Sequence, residues 1–329
     1  MHPEIFAVQD VCLRWYEKGG WGMSFDILQQ KIREKKNPTV AGLDPRPDYI
    51  PDHILQAAYA QYGKTPEGLA EAYFVFCQGL MDALAPIVPA VKPQAAFFEV
   101  LGAPGIACLQ RVCSYAREKG LYLIIDAKRG DIGSTAEAYA QAYFGSVELD
   151  GQRFTPFGAD CLTVNGYLGS DGIRPFLPYC EQAEKAVFLL VKTSNKSSLE
   201  LQDLIAGDRL VHTVMADLAV RLNAGQHGRY GFGPVGAVVG ATHPEDLKTL
   251  RQKYDSLFFL VPGYGAQGGS ARDVAGAFDD LGHGAVVNSS RGIMCAWQKT
   301  DSDGRDYAAL AAQEAVRMRD DICRFVTVV

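Results

Sequence analysis

Leu121-Tyr122-Leu123-Ile124-Ile125-Asp126-Ala127-Lys128-Arg129-Gly130-Asp131 is the stretch that decides the architecture. Its first half is an unbroken apolar run of strand length, which suits a strand covered on both faces. Charge arrives only at its mouth. Asp126 and Lys128 stand two residues apart, so on a strand their side chains share one face. Asp131 lies just past the strand end, so two carboxylates and an ammonium are expected at one rim. Grouped this way, the anions favour a protonated lysine and the lysine favours ionised carboxylates. Lys92, ending another apolar run, can add a second cation.

Working outward, the same pattern recurs along the chain. Strands are expected at Thr39 to Asp44, Ile87 to Lys92, Leu121 to Lys128, Cys161 to Asn165, Ala186 to Thr193, Val235 to Gly240, Leu257 to Pro262 and Ala285 to Ser289. Helical patterns separate them: Glu67 to Leu84, Ile106 to Lys119, Thr135 to Phe144, Leu210 to Leu222 and Pro244 to Lys253. Strands alternating with helices imply parallel β-α units, and eight such units in about 250 residues match a single-domain α/β fold, the (β/α)8 TIM barrel. A doubly wound open sheet is the structural alternative. Residues 1–22 read as an N-terminal extension, 23–329 as the barrel domain, and 145–160 as a long loop or insertion. The strand ends are polar or Gly-rich: Asp44, Lys92, Asp126 with Lys128, Asn165, Thr193-Ser194-Asn195, Pro262-Gly263 and Ser289-Ser290-Arg291. In a barrel these converge on the C-terminal rim, where this fold keeps its active sites.

Composition sets the outer bounds. The 329 residues are 48% hydrophobic and 21% charged with a net charge of −6, which weakens any case for broad nucleic-acid binding. Apolar runs such as Ala186 to Val191 are far short of a membrane span. Glu4, Asp10, Arg14 and Glu17, with no apolar h-region, argue against a signal peptide, and a cytoplasmic location is expected. Eight cysteines without a C-x-x-C pair read as reduced thiols. Six scattered histidines offer no protein-built zinc site.

Two late segments suggest a phosphate. Val261-Pro262-Gly263-Tyr264-Gly265-Ala266-Gln267-Gly268-Gly269 comes after the apolar strand Leu257 to Leu260, and Val286-Val287-Asn288-Ser289-Ser290-Arg291-Gly292 ends the last strand. Loops in these places often bind phosphate through backbone N–H groups, and an arginine can add two parallel hydrogen bonds. Gly263-x-Gly265-x-x-Gly268 and Gly231-x-Gly233-x-x-Gly236 match the dinucleotide fingerprint only formally. The first comes near the chain's end, and the second contains Pro234 and precedes a strand.

Taken in order, Gly42-Leu43-Asp44-Pro45, Val91-Lys92-Pro93-Gln94, Asp126 to Thr135, Thr193-Ser194-Asn195, Pro262 to Gln267 and Ser290-Arg291-Gly292 resemble the orotidine 5′-phosphate decarboxylase family in its longer bacterial version. The resemblance runs from about Phe25 to the C-terminus. It implies a homodimeric barrel that converts orotidine 5′-phosphate to UMP and CO2 in pyrimidine biosynthesis, with no metal or organic cofactor. Lys128 would then give the proton to C6 of the pyrimidine, Asp126 would sit beside the substrate carboxylate, and Lys92 would complete the charged network. Asp131, with Ile132 and Thr135, would reach into the partner subunit's site. Asp44 would bind ribose hydroxyls, Ser194 the pyrimidine amide edge, and Gln267 and Arg291 the phosphate. Pro262 would lie near the ring, with Gly263 and Ser290 also among the substrate-binding residues. Lys196 stands where the family has proline. The D-x-K-x-x-D element alone is shared with metal-dependent sugar-phosphate decarboxylases and hexulose-phosphate synthases, the alternative reading.

Overall fold

The computed structural model describes residues 22–182, 184–265 and 268–328. Eight parallel strands close into a barrel in sequence order: β1 (Thr39–Leu43), β2 (Ala90–Pro93), β3 (Tyr122–Arg129), β4 (Cys161–Val164), β5 (Ala186–Lys192), β6 (Val235–Val239), β7 (Phe259–Val261) and β8 (Ala285–Ser289). Closure is made by β1 against β8, with Thr39 opposite Val287 and Ala41 opposite Ser289. The open-sheet alternative is thereby excluded. The expected strands all form, with bounds within three residues of those expected, and the five expected helices form between them.

The two-residue period of the strands sorts side chains into two cores. Leu123 and Ile125 of β3, Leu162 and Val164 of β4, and Val187 and Leu189 of β5 face the surrounding helices. Tyr122 and Ile124, Cys161, Ala186 and Phe188 face inward and pack with Val40, Ala90, Val238, Leu260 and Val286 from the other strands. This interior is filled from below. The helix Ser24–Lys35 presents Phe25, Leu28 and Ile32 to it, and Phe25 stacks on Phe258 at 4.8 Å between ring centroids. Continuing each strand's inward phase upward reaches Lys92, Asp126, Thr163 and Asn288. An apolar floor under a polar mouth therefore follows from the alternation itself.

Residues 145–160, expected as a loop, contain an exposed antiparallel hairpin of Val147–Leu149 and Gln152–Phe154. Asp150 and Gly151, both at positive φ (50° and 76°), make its two-residue turn, whose twist matches that of the paired strands. The expected N-terminal extension lies, except for Gly22, outside the described residues.

Candidate active site

A cavity of about 660 Å³ opens at the C-terminal ends of the strands, within the size range of small-molecule sites. Lys92 from β2 and Asp126 and Lys128 from β3 lie at its charged end. Asp126 is nearly buried and bridges both lysines: Oδ2 accepts from Lys92 Nζ at 2.7 Å, and Oδ1 from Lys128 Nζ at 2.6 Å. Burial alone would raise the Asp126 carboxyl pKa, but the two ammonium groups outweigh it and hold it well below the usual carboxylate range. Lys92 shows the converse: burial lowers its pKa, while Asp126 and Asp44 raise it to a net increase.

Local backbone geometry aims Lys128. Lys128 sits at φ 48°, in the left-handed region that costs a non-glycine residue about 1–2 kcal/mol. Thr163 of β4 holds it there. Its Oγ1 accepts hydrogen bonds from the N–H groups of Ala127 (3.1 Å) and Lys128 (2.9 Å), and donates to Asp126 Oδ1 at 2.9 Å. The Lys128 side chain remains 44% exposed and faces the cavity, whereas Lys92 is enclosed.

Asp44, at the end of β1, lines the same cavity. Burial raises its pKa, opposed by Lys92 and a hydrogen bond with Ser290. Its Oδ1 and the Oδ1 of Asn288 are buried without a hydrogen-bond partner among the described residues. Two acceptors on the cavity wall suit a ligand that brings hydroxyl or N–H donors. Ser290 reaches this wall because residue 42 is glycine: a Cβ there would lie 1.9 Å from Ser290 Oγ and 3.0 Å from its Cα.

The cavity is also lined by Thr193, Ser194 and Asn195 after β5, Pro262 and Gly263 after β7, and Ser290 and Arg291 after β8. Gln267 lies outside the described residues. One expectation at the rim is corrected. Asn165 does not line the cavity; its side chain accepts from the N–H of Tyr167, and β4 contributes Thr163 instead. Asp131, Ile132 and Thr135 also stand outside their own chain's cavity. The Asp131 carboxylate accepts the Ile132 N–H at 2.8 Å, and Ile132 is 54% exposed.

Thr163 and Gln202 line the candidate site and were missed by sequence reasoning. For Thr163 a signal exists, since it is the one hydroxyl in Cys161-Leu162-Thr163-Val164 and has the strand's inward phase. For Gln202, nine residues beyond Thr193, no local pattern marks it. Among the described residues no group of three or more His, Cys, Asp or Glu is arranged to hold a metal ion.

Residues 77–301, more than half the chain, match the family model described as the Orotidine 5′-phosphate decarboxylase / HUMPS family. The orotidine 5′-phosphate decarboxylase of Rhodopirellula baltica is 48% identical over 274 residues, covering 83% of this chain and 89% of that protein. The one from Clostridium perfringens is 40% identical over 301 residues, covering 91% and 98%. Among solved structures, Leishmania donovani OMP decarboxylase superposes with a TM-score of 0.66 at 33% identity, covering 91% of this chain and 99% of that one. These relatives do not favour the sugar-phosphate alternative. By fold, by the order of its charged strand ends and by similarity along most of its length, the chain belongs to the orotidine 5′-phosphate decarboxylase family.

Proposed function

We propose that this chain carries out its family's reaction with Lys128 as proton donor, Asp126 and Lys92 completing the charged network, and Arg291 anchoring the phosphate. The reaction is the decarboxylation of orotidine 5′-phosphate to UMP and CO2, a carboxy-lyase step of pyrimidine biosynthesis. The C6–carboxylate bond breaks and leaves its electron pair on C6. An ammonium already fixed beside that carbon stabilises the carbanion without reorganising, and it then transfers its proton to C6. No cofactor takes part in these steps.

The observation that carries this assignment is the Lys92–Asp126–Lys128 network, in which Lys128 is the more exposed of the two lysines lining the cavity and its ammonium lies 2.6 Å from Asp126. Asp44 is assigned to the ribose hydroxyls, which would satisfy its unpaired Oδ1. Ser194 is assigned to the amide edge of the base, Pro262 and Gly263 to its surroundings, and Ser290 and Gln267 to the phosphate end. The phosphate is remote from the reacting carbon, so its binding energy can offset desolvation and crowding at the carboxylate.

The proposed assembly is a homodimer in which Asp131, Ile132 and Thr135 complete the partner's site. Their position outside their own cavity, with Ile132 and Thr135 exposed, supports this. The proposed domain layout is a barrel over 23–329 preceded by an extension, and the proposed compartment is the cytoplasm. Among the described residues no helix is long and apolar enough to cross a membrane, and the seven described cysteines are free thiols.

The direct test is ultraviolet-monitored turnover of orotidine 5′-phosphate with EDTA present. The parent protein is expected to turn over, and Lys128→Ala to lose at least about 10³-fold in kcat while still binding UMP. Near-native turnover by the folded variant would overturn the assignment of Lys128. Mixing Lys128→Ala with Asp131→Ala protomers tests the shared site: recovered activity supports it, and its lack in a verified mixed dimer counts against it.

A further inference from the structure

A second charge cluster lies behind the Thr193-Ser194-Asn195 wall, and the decarboxylation chemistry makes no use of it. Lys192, the last residue of β5, is 0% exposed. Its ammonium pairs with the carboxylate of Asp203 and stands 3.5 Å from Asp246 Oδ2. His212, also buried, brings Nδ1 to 3.3 Å from Asp203 Oδ1 and 3.0 Å from the carbonyl oxygen of Gln202. A carbonyl can only accept, so the Nδ1–H is the donor. Hydrogen bonding to Lys192 pulls the Asp203 carboxyl below its usual range. An ammonium taken out of water in this way requires its paired anions.

The positions of these residues in the chain give the cluster its meaning. Lys192 immediately precedes Thr193, and Asp203 immediately follows Gln202. The ion pair therefore ties the two ends of segment 193–202, whose first three residues and last residue line the cavity. Within the segment, Gln202 Oε1 accepts the Thr193 N–H at 2.8 Å, and its Nε2 donates to Thr193 Oγ1 at 2.7 Å. Thr193 Oγ1 donates in turn to Asn195 Oδ1 at 2.6 Å, and Thr242 Oγ1 donates to the Ser194 carbonyl at 3.2 Å. Gly240 closes the other side: a Cβ there would lie 2.8 Å from Ser194 Cα.

We propose that the Lys192–Asp203 pair, steadied by His212, is a clasp that holds segment 193–202 in the conformation that presents Ser194 to the pyrimidine. Lys192 and Asp203 are thus positioning residues for recognition of the base. The proposal rests on the assignment of Ser194 given above, and it goes further by explaining what orients that residue. Ligands that carry the base depend on the clasp, whereas ligands with only ribose and phosphate do not.

The test compares Asp203→Asn, Lys192→Met, the double variant and Ser194→Ala in the full-length protein. Readouts are KM and kcat for orotidine 5′-phosphate, and inhibition constants for UMP and for ribose 5-phosphate. Asp203→Asn is expected to raise KM and the UMP inhibition constant about 10-fold or more, with ribose 5-phosphate unchanged within about twofold. The double variant is expected to lose less than the product of the single losses, because no lone buried charge remains. Equal weakening of UMP and ribose 5-phosphate would mean a merely structural cluster and would overturn the proposal. So would Asp203→Asn with near-parental KM. If Ser194→Ala weakens UMP while Asp203→Asn does not, the clasp alone falls. If Ser194→Ala leaves UMP binding unchanged, the assignment of Ser194 falls and the clasp with it. Should Lys192→Met not fold, Asp203→Asn decides, since its side chain is at the partly exposed end of the pair.

Discussion

Replacing Thr163 with valine keeps the side chain's shape and removes one oxygen that serves three partners. That oxygen donates to the Asp126 carboxylate at 2.9 Å and accepts from the N–H groups of Ala127 and Lys128 at 3.1 and 2.9 Å. A hydrogen bond to an ionised group contributes about 1.5–3 kcal/mol net, and a buried N–H left unpaired costs about 1–3 kcal/mol. Part of that loss appears as stability, expected at about 2–4 kcal/mol in a denaturant titration. The remainder acts on catalysis, because Lys128 loses the acceptor that holds its backbone at φ 48°. Relaxation to an ordinary φ recovers about 1–2 kcal/mol for the backbone and carries Nζ away from Asp126. At about 1.4 kcal/mol per tenfold, kcat is expected to fall between about 10- and 150-fold. The assay is initial-rate turnover followed in the ultraviolet, with Thr163→Ser as the partner variant that restores the hydroxyl. A Thr163→Val enzyme within twofold of the parent in kcat would refute this reasoning. A serine variant as impaired as valine would also refute it, by pointing to the methyl group instead of the oxygen.

Two further outcomes concern stability. Arg251 is buried, and burial pulls its pKa down to about 10. Its guanidinium donates to the carbonyls of Ala277, Tyr254, Asp255, Leu257 and Gly284, joining the segments that lead into β7 and β8. Arg251→Met is expected to cost about 3 kcal/mol, read as a lower denaturation midpoint, with KM little changed. Asp126 supplies a pH effect of definite sign. Its folded-state pKa is depressed, so the stability it contributes is present above the unfolded value of about 4 and is lost as pH falls through the folded value. In unfolding titrations from pH 5 to pH 2, Asp126→Asn is therefore expected to lose less stability than the parent. Parallel curves for the two proteins would contradict the paired state of Asp126.

The barrel and most of its polar rim were legible in the chain because both are written at short range. Apolar runs of strand length mark β1 to β8, and the polar or glycine-rich residues at the ends of most of them need no knowledge of the partner strand. The 145–160 hairpin was missed for the opposite reason: its strands are exposed, so no apolar alternation flags them, although Asp150-Gly151 is a turn signal in its own right. Asn165 was misplaced because the sequence does not reveal where β4 stops feeding the cavity.

What the sequence by itself determined is the fold class, the family and the identity of the central charges Asp126, Lys128 and Lys92. Tertiary structure alone decided how those charges meet. Lys92 and Asp126 are 34 residues apart, and Thr163 and Asp126 are 37 apart. Their contact depends on closure of the barrel and on the register between neighbouring strands. The left-handed backbone of Lys128, the fit of Ser194 against Gly240 and the clasp from Lys192 to Asp203 likewise depend on neighbours brought in by packing. Side-chain phase along a strand is a local property, whereas the pairing of buried charges is a property of the closed sheet, and only the folded chain contains it.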